Sequence, residues 1–288
     1  MNDAAIRSAG HEVPFRALVP FLAMAFGLAW GIFAVFIFAP GVAALFGEIS
    51  GSHPLFILAV YAPAIAAFAI VVFHGGRAGL RRFLSRLLLW RCSPWWYGFL
   101  VLGIPLIYIL GSATKGNLLA GGFGSFTAGQ LLGAMAFMLV LGPVEEFGWR
   151  GVALPLLQRR FAPIRAGLVL GLVWGVWHLP AFLLGGTPQS AWGFTPFLIG
   201  SVAVSVILTP LFNASRGSIL LAALYHFQLN NPLWPDAQPF DTIYFVAAAV
   251  IVTWINRGAM FGRSGAVTAV IPADPREPAR GARKAAIR

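Results

Sequence analysis

Residues 145–150 read Glu-Glu-Phe-Gly-Trp-Arg, and they lie inside an otherwise apolar segment of the chain. Asp and Glu together occur only nine times in 288 residues, so two adjacent glutamates in such a segment stand out. A charged side chain inside a bilayer is costly, and when one occurs it usually faces a protein interior or water and serves a site. The stretch therefore predicts a buried polar site within a membrane protein.

Composition supports a membrane setting for this site. The chain is 59% hydrophobic and 10% charged, with a mean hydropathy of +0.81, whereas a soluble domain needs far more charge on its surface. The single cysteine, Cys92, excludes an internal disulfide and a cysteine-based metal site. The net charge of +11 is concentrated in particular loops and in the tail, which indicates membrane topology rather than nucleic-acid binding.

Apolar segments long enough to cross a bilayer recur along the chain. The predicted fold class is all-α: a polytopic membrane protein with about eight transmembrane helices around a polar intramembrane cavity. The domain organisation is a cytosolic segment at 1–16, a transmembrane domain at 17–256 and a basic, disordered cytosolic tail at 257–288, with no internal repeat. The eight predicted spans are residues 17–38, 54–73, 95–112, 130–157, 164–184, 194–213, 217–233 and 240–256.

Arginines separate the connections between these spans into two sets. One set carries the arginines, including all those between 77 and 91, and the other carries Glu48, Lys115 and Asp236 but no arginine. Positive charge accumulates on the cytoplasmic side, so both termini are expected inside, in the cytoplasmic membrane of a bacterium. Residues 78–90 predict a basic amphipathic segment on the inner leaflet with its arginines toward the headgroups, and a simple cytosolic loop is the alternative.

Polar residues in three neighbouring spans are expected at similar depth. Glu146 precedes the inner-end Arg160 by fourteen residues, which is roughly 21 Å of helix. His178 follows Arg165 by thirteen residues, or roughly 20 Å, and His226 follows Arg216 by ten, or roughly 15 Å. Two carboxylates, two imidazoles and the amide of Asn230 therefore predict one convergent site.

Each of these residues also has a structural interpretation when it is taken alone. An intramembrane histidine or Asn230 can bond a neighbouring helix, and Trp174 can simply pack on His178 one turn away. Arg150 follows Glu146 by four residues, which favours an ion pair on one helix face. Glycines at 167, 171 and 175 form a smooth face that predicts close packing, here expected to bring His178 near the fourth span.

Three motifs on separate spans carry a family resemblance: E-E-x-x-x-R from Glu145, an aromatic-x-x-x-H from Trp174 to His178, and H-x-x-x-N from His226 to Asn230. Together they resemble the CPBP family of CAAX prenyl proteases and bacteriocin-processing enzymes, over roughly residues 130–235. The second motif often begins with Phe in that family, and here Trp174 keeps the aromatic character. The resemblance implies an eight-helix intramembrane endopeptidase with its site open toward the cytosol.

The resemblance also implies a role for each motif residue. Glu145 would be the general base that activates water, with His178 as its partner, while His226 and Asn230 would donate to the oxyanion. Glu146 and Arg150 would orient the site. The choice of Glu145 over Glu146 as the base comes from the resemblance alone.

Other interpretations stay open at the level of sequence. Glu145, His178 and His226 would be the ligands of a zinc version, although a metal-free version is favoured because no H-E-x-x-H pattern is present. A non-catalytic protein that binds ions or protons, or an immunity or partner-binding protein, is the main alternative function. The expected partners are the lipid bilayer and a peptide or protein substrate, with a C-terminal or lipid-modified peptide as one form, and no nucleic acid. The sequence does not name the substrate.

Overall fold

The computed structural model describes residues 13–48, 50–118 and 127–273. All regular secondary structure within these ranges is helical, which confirms the predicted all-α class. The predicted segment 1–16 therefore lies mostly outside the described residues, as do residues 274–288 of the tail. Six helices of the described chain are long and apolar enough to span a membrane: α1 (Phe15–Phe38), α2 (Ala62–Leu88), α3 (Pro94–Lys115), α4 (Ala128–Gln158), α5 (Pro163–Leu183) and α6 (Phe194–Ala214).

The seventh and eighth predicted spans are helices, but they are shorter than predicted. They are α7 (Ile219–Leu229) and α8 (Asp241–Ile255), with 11 and 15 residues. Eleven residues rise only about 16 Å, roughly half of a hydrocarbon core that is about 30 Å thick. The chain after α7 continues without regular helix to α8, so hydropathy alone overestimated this span. Short helices Pro40–Ala44 and Pro54–Val60 lie between α1 and α2, and α9 (Arg257–Phe261) follows α8.

Helix α5 packs most extensively on α6, and its three regularly spaced glycines form that contact. A Cβ on Gly171 would lie 2.6 Å from the Cα of Val202, and one on Gly167 would lie 2.7 Å from Oγ1 of Thr209. Glycine is needed here because the backbones approach so closely. The expectation that this face brings His178 toward the fourth span is therefore wrong, because the glycines face α6.

Two helices widen into a π turn just before a proline. The turns are Phe99–Gly103 before Pro105 in α3, and Trp149–Ala153 before Pro155 in α4. Proline lacks an N–H and its ring crowds the preceding turn, so a carbonyl one turn back loses its partner. Side chains from other helices supply the missing donors: Gln228 bonds the carbonyl of Leu100 at 2.8 Å, and Arg86 bonds the carbonyl of Gly151 at 3.3 Å.

Arg86 departs from the expected orientation toward the headgroups. Gly76 adopts a left-handed φ of 57°, which bends α2 before its arginine-bearing end. Arg77 and Arg81 are exposed, but Arg86 is only 2% exposed and turns inward. It donates to the carbonyls of Gly151 and Ala269, so it joins α4 to the C-terminal segment, residues 257–273.

Residues 257–273 are ordered, contrary to the expectation of a disordered tail. Val270 is fully buried, and Ile271 packs against Gly75 and Gly79 of α2. Side chains at the arginine-bearing end of the bundle hold its backbone: Gln158 donates to the carbonyl of Val267 at 2.9 Å and Arg159 to that of Thr268 at 2.7 Å. Composition did not reveal this, because the stabilising donors belong to distant helices.

Replacing Arg86 tests how much this inward-facing arginine contributes to the fold. Arg86→Met leaves the Gly151 carbonyl without its donor and loosens the C-terminal segment. Because hydrogen bonds to charged groups contribute about 1.5–3 kcal/mol each, we expect a loss of about 2–4 kcal/mol in the free energy of unfolding. The measurement is the SDS-unfolding midpoint in mixed micelles. Arg81→Met, at an exposed position, is the control, and equal midpoints for the two variants would contradict the account.

Candidate active site

The paired glutamates lie where the backbone of α4 changes its helical pitch. A regular helix ends at Leu141, a 3₁₀ turn covers Pro143–Glu145, one helical turn covers Glu146–Gly148, and the π turn follows. Pro143 cannot donate to the preceding turn, which accounts for the break. Such irregular turns inside helices are frequent at functional sites, and here they set the directions of two adjacent carboxylates.

Glu145 is held by two tryptophans. Its carboxyl Oε2 accepts a hydrogen bond from Nε1 of Trp149 at 3.2 Å and from Nε1 of Trp174 at 2.8 Å. The residue is only 3% exposed, yet it lines a cavity in the bundle. Both indole donors reach the same oxygen, so Oε1 is the oxygen that can hold a molecule in the cavity.

Glu146 points to different partners and is completely buried. Its Oε1 accepts from Nη1 of Arg150 at 3.0 Å and from Nδ1 of His226 at 2.7 Å. The ion pair one turn along α4 has the geometry that the sequence spacing favours. Because the carboxylate can only accept, Nδ1 of His226 carries a proton, and Nε2 is the nitrogen directed away from Glu146.

Trp174 contacts every charged or ionisable group of the site except Glu146. Its indole N–H bonds Glu145, and the guanidinium carbon of Arg150 lies 4.8 Å from its ring centroid. The rings of His178 and His226 both lie 5.5 Å from it. Packing on His178, the simplest expectation from sequence, describes only one of these contacts.

His178 follows the regular part of α5, which ends at Trp177. Its Nδ1 lies 2.8 Å from the carbonyl oxygen of Trp174. A carbonyl only accepts, so Nδ1 carries the proton and the neutral ring has a lone pair on Nε2. His178 also lines the cavity, which makes it a proton acceptor within the same chamber as Glu145.

Gly142 provides the space in which His226 and Asn230 converge. A Cβ at position 142 would lie 2.2 Å from Nδ2 of Asn230 and 2.9 Å from Nε2 of His226. The two nitrogens are thus directed at one point beside α4, from side chains one turn apart on α7. Two such nitrogens can donate hydrogen bonds to an oxygen on which negative charge develops, provided that His226 is doubly protonated.

One cavity of about 450 Å³ is lined by Glu145, Trp174, His178, His226 and Asn230. It extends to the connections that contain Gly51, Gln189, Trp192 and residues 234–238, which is the end of the bundle without arginines. From the sequence, the arginine-rich end is expected to be cytoplasmic, and the family resemblance implies a site open toward the cytosol. These two expectations are incompatible, because the cavity reaches the opposite end.

The structure thus brings all seven sequence-predicted site residues together, with Glu146 and Arg150 behind the cavity wall. Sequence reasoning missed Trp149 and Gly142. Trp149 lies one turn after Glu145, which is a readable signal for an indole donor. Gly142 directly precedes Pro143, but nothing in the sequence shows which side chains from α7 approach it.

Glu145, His178 and His226, the expected ligands of a zinc version, each have a hydrogen-bond partner within the protein. Within residues 13–48, 50–118 and 127–273, no group of three or more His, Cys, Asp or Glu side chains is placed to hold one ion. Glu145 instead receives two indole donors on one oxygen, and His226 commits one nitrogen to Glu146.

Fold and site together define a polytopic helical membrane protein with a carboxylate, two imidazoles and an amide around one intramembrane cavity. Residues 127–231 match the family model described as type II CAAX prenyl endopeptidase Rce1-like. A CAAX prenyl protease 2 from Methanococcus maripaludis is 28% identical over 166 residues, which are 53% of this chain and 60% of that protein. Over this region the chain is therefore similar to the CPBP family.

The region matched by the family model contains Gly142, Trp149 and all seven sequence-predicted site residues. Helices α1 to α3, helix α8 and the C-terminal segment lie outside it. The matched segment spans about 60% of the length of the methanococcal relative.

A double-mutant cycle tests the buried charge pair behind the cavity. Arg150→Met leaves Glu146 buried without its permanent cation, so we expect a loss of about 3–5 kcal/mol in the free energy of unfolding. Glu146→Gln in the same protein removes the unpaired charge, and the double variant should be more stable than the sum of the single losses predicts. Unfolding in mixed micelles supplies the four values. Strict additivity would contradict the pairing.

Proposed function

We propose that this protein is an intramembrane endopeptidase that hydrolyses a peptide bond with water activated by Glu145 and His178. The observation that carries the proposal is the convergence of a carboxylate and two nitrogen donors from α4 and α7 on one cavity. The match of residues 127–231 to the Rce1-like family model supports peptidase chemistry in general, and the methanococcal relative is named CAAX prenyl protease 2. Peptide hydrolysis needs a base, a proton donor for the leaving amine and a stabilised oxyanion.

In the proposed reaction, Oε1 of Glu145 accepts a proton from a water molecule in the cavity. The two indole N–H groups on Oε2 hold the carboxylate in place while it does so. His178 presents its unprotonated Nε2 to the same cavity and helps to orient the water. The proton then passes to the leaving amine as the carbon–nitrogen bond breaks.

The attack places negative charge on the oxygen of the scissile carbonyl. In our proposal Nδ2 of Asn230 and Nε2 of His226 donate to this oxygen in the space beside Gly142. Nε2 donates only when the His226 ring is an imidazolium, and the Glu146 carboxylate at 2.7 Å stabilises that form. Arg150 holds Glu146 in position through their ion pair, so both act as positioning residues.

We propose that the reaction proceeds without a metal ion. Glu145 accepts from two indole N–H groups, and Glu146 pairs with His226, so both carboxylates have hydrogen-bond donors without a metal ion. A protein that only binds protons would use the carboxylates, but it would have no use for two nitrogens converging beside Gly142. This convergence favours hydrolysis over the non-catalytic alternatives.

Removal of the proposed base gives a test that works before any substrate has been identified. Peptide termini in membranes are compared by mass spectrometry between cells with the intact protein and cells with Glu145→Gln. Because a positioned base contributes about 10²- to 10⁴-fold, we expect the termini that depend on the protein to disappear. Glu48→Gln, at an exposed glutamate, is the matched control and should retain them. Identical termini with Glu145→Gln and intact protein would contradict the proposal.

The oxyanion site has its own test in Gly142→Ala. The added methyl group occupies the space where the two nitrogens converge, so we expect kcat to fall about 10²- to 10³-fold on a peptide identified by the comparison of termini. Gly133→Ala on the same helix is the control, because a Cβ there meets nothing within 4 Å. Full activity in Gly142→Ala, with both variants equally folded, would rule out this oxyanion site.

A further inference from the structure

Within the described residues, the arginines other than the buried Arg150 mark one end of the bundle. Arginines occur in three connections at this end, which join α2 to α3, α4 to α5, and α6 to α7. The connections at the opposite end, residues 39–61, 116–127, 184–193 and 230–240, contain no Lys or Arg. Short loops rich in Lys and Arg stay in the cytoplasm, so the arginine-bearing end is expected to be cytoplasmic.

The catalytic cavity reaches the other end. Three of the arginine-free connections line it, through Gly51, through Gln189 and Trp192, and through residues 234–238. Asp236 is exposed there and pairs with Lys115 at the end of α3. The amphipathic rings of Trp192 and Trp234 line the cavity at this end. Tryptophan is enriched at membrane–water interfaces, which agrees with this position.

Helix polarity leads to the same conclusion independently. His178 directly follows the regular part of α5, and Asn230 directly follows α7, so both lie at helix ends that face away from the arginines. The segment 231–240 then returns to α8 without regular helix. Irregular backbone at membrane depth is tolerated where it lines a water-filled cavity, and this segment lines one.

The arginine-bearing side of the site is closed by packed side chains. From the glutamates toward the arginine-bearing end, α4 continues through residues with no exposed surface: Trp149, Arg150, Val152, Ala153 and Leu154. Arg86 and the C-terminal segment cover this region from the arginine-bearing end. A peptide could not reach Glu145 from that side without displacing the core.

We propose that the catalytic cavity opens on the non-cytoplasmic face of the membrane, and that the substrate is an exported, membrane-associated peptide presented from that face. The substrate class rests on the proposed peptidase function, whereas the direction of access does not. Phe33, Phe56, Phe197 and Phe245 line the cavity, so an extended apolar peptide segment suits it. A substrate made and retained in the cytoplasm does not meet this opening.

Accessibility of single cysteines tests the direction of access without any substrate. In a Cys92→Ser background, Ser190→Cys reports on the cavity end and Ser85→Cys on the arginine-bearing end. Both positions are exposed serines, so the two variants are matched. Gln189→Cys reports on the cavity wall itself. The probe is a membrane-impermeant maleimide applied to sealed right-side-out and inside-out membrane vesicles.

We expect Ser190→Cys and Gln189→Cys to be labelled in right-side-out vesicles, and Ser85→Cys only in inside-out vesicles. The reverse pattern, or labelling of one position from both faces, would overturn the inference while leaving the peptidase proposal intact. If labelling follows the expectation but Glu145→Gln leaves the membrane peptides unchanged, the peptidase proposal fails and the direction of access stands.

Discussion

The structure depends on the burial of two adjacent carboxylates, because each must receive compensating donors inside an apolar bundle. Glu145 receives two indole N–H groups, and Glu146 receives a guanidinium and an imidazole. These donors come from α4, α5 and α7, so satisfying the charges also fixes the three helices against one another. An unpaired charge at this depth would cost several kcal/mol, which makes the polar network a structural requirement as well as a chemical one.

The backbone of α4 is what allows each carboxylate to reach its own pair of donors. Neighbouring positions on a regular helix differ by about 100°, and here a 3₁₀ turn and a π turn adjust their directions further. The carbonyl of Gly151 that loses its partner at Pro155 is bonded by Arg86, which also holds the C-terminal segment. Arg86 therefore links the part of α4 that follows the glutamates to the C-terminal segment at the arginine-bearing end of the bundle.

Much of this arrangement could be predicted from sequence. Hydropathy located the helices, and counting residues from the arginines placed Glu146, His178 and His226 at similar depth. The limits have physical causes. The predicted seventh span ran past Leu229, although Asn230, Asn231 and Pro232 begin a polar, proline-containing segment that does not continue the helix. The ordered segment 262–271 and the role of Gly142 depend on side chains that are distant in sequence. The face on which the cavity opens could be inferred only by combining the arginine pattern of the sequence with the residues that line the cavity in the structure.

The central claim is that Glu145 is held as a carboxylate at the cavity wall by Trp149 and Trp174, ready to accept a proton from water. Infrared difference spectroscopy of the purified protein minus Glu145→Gln near neutral pH tests this claim most directly. The account predicts that the substitution removes the paired stretching bands of an ionised carboxylate. Loss of the carbonyl band of a protonated carboxylic acid instead would contradict it, because a protonated Glu145 could not take a proton from water.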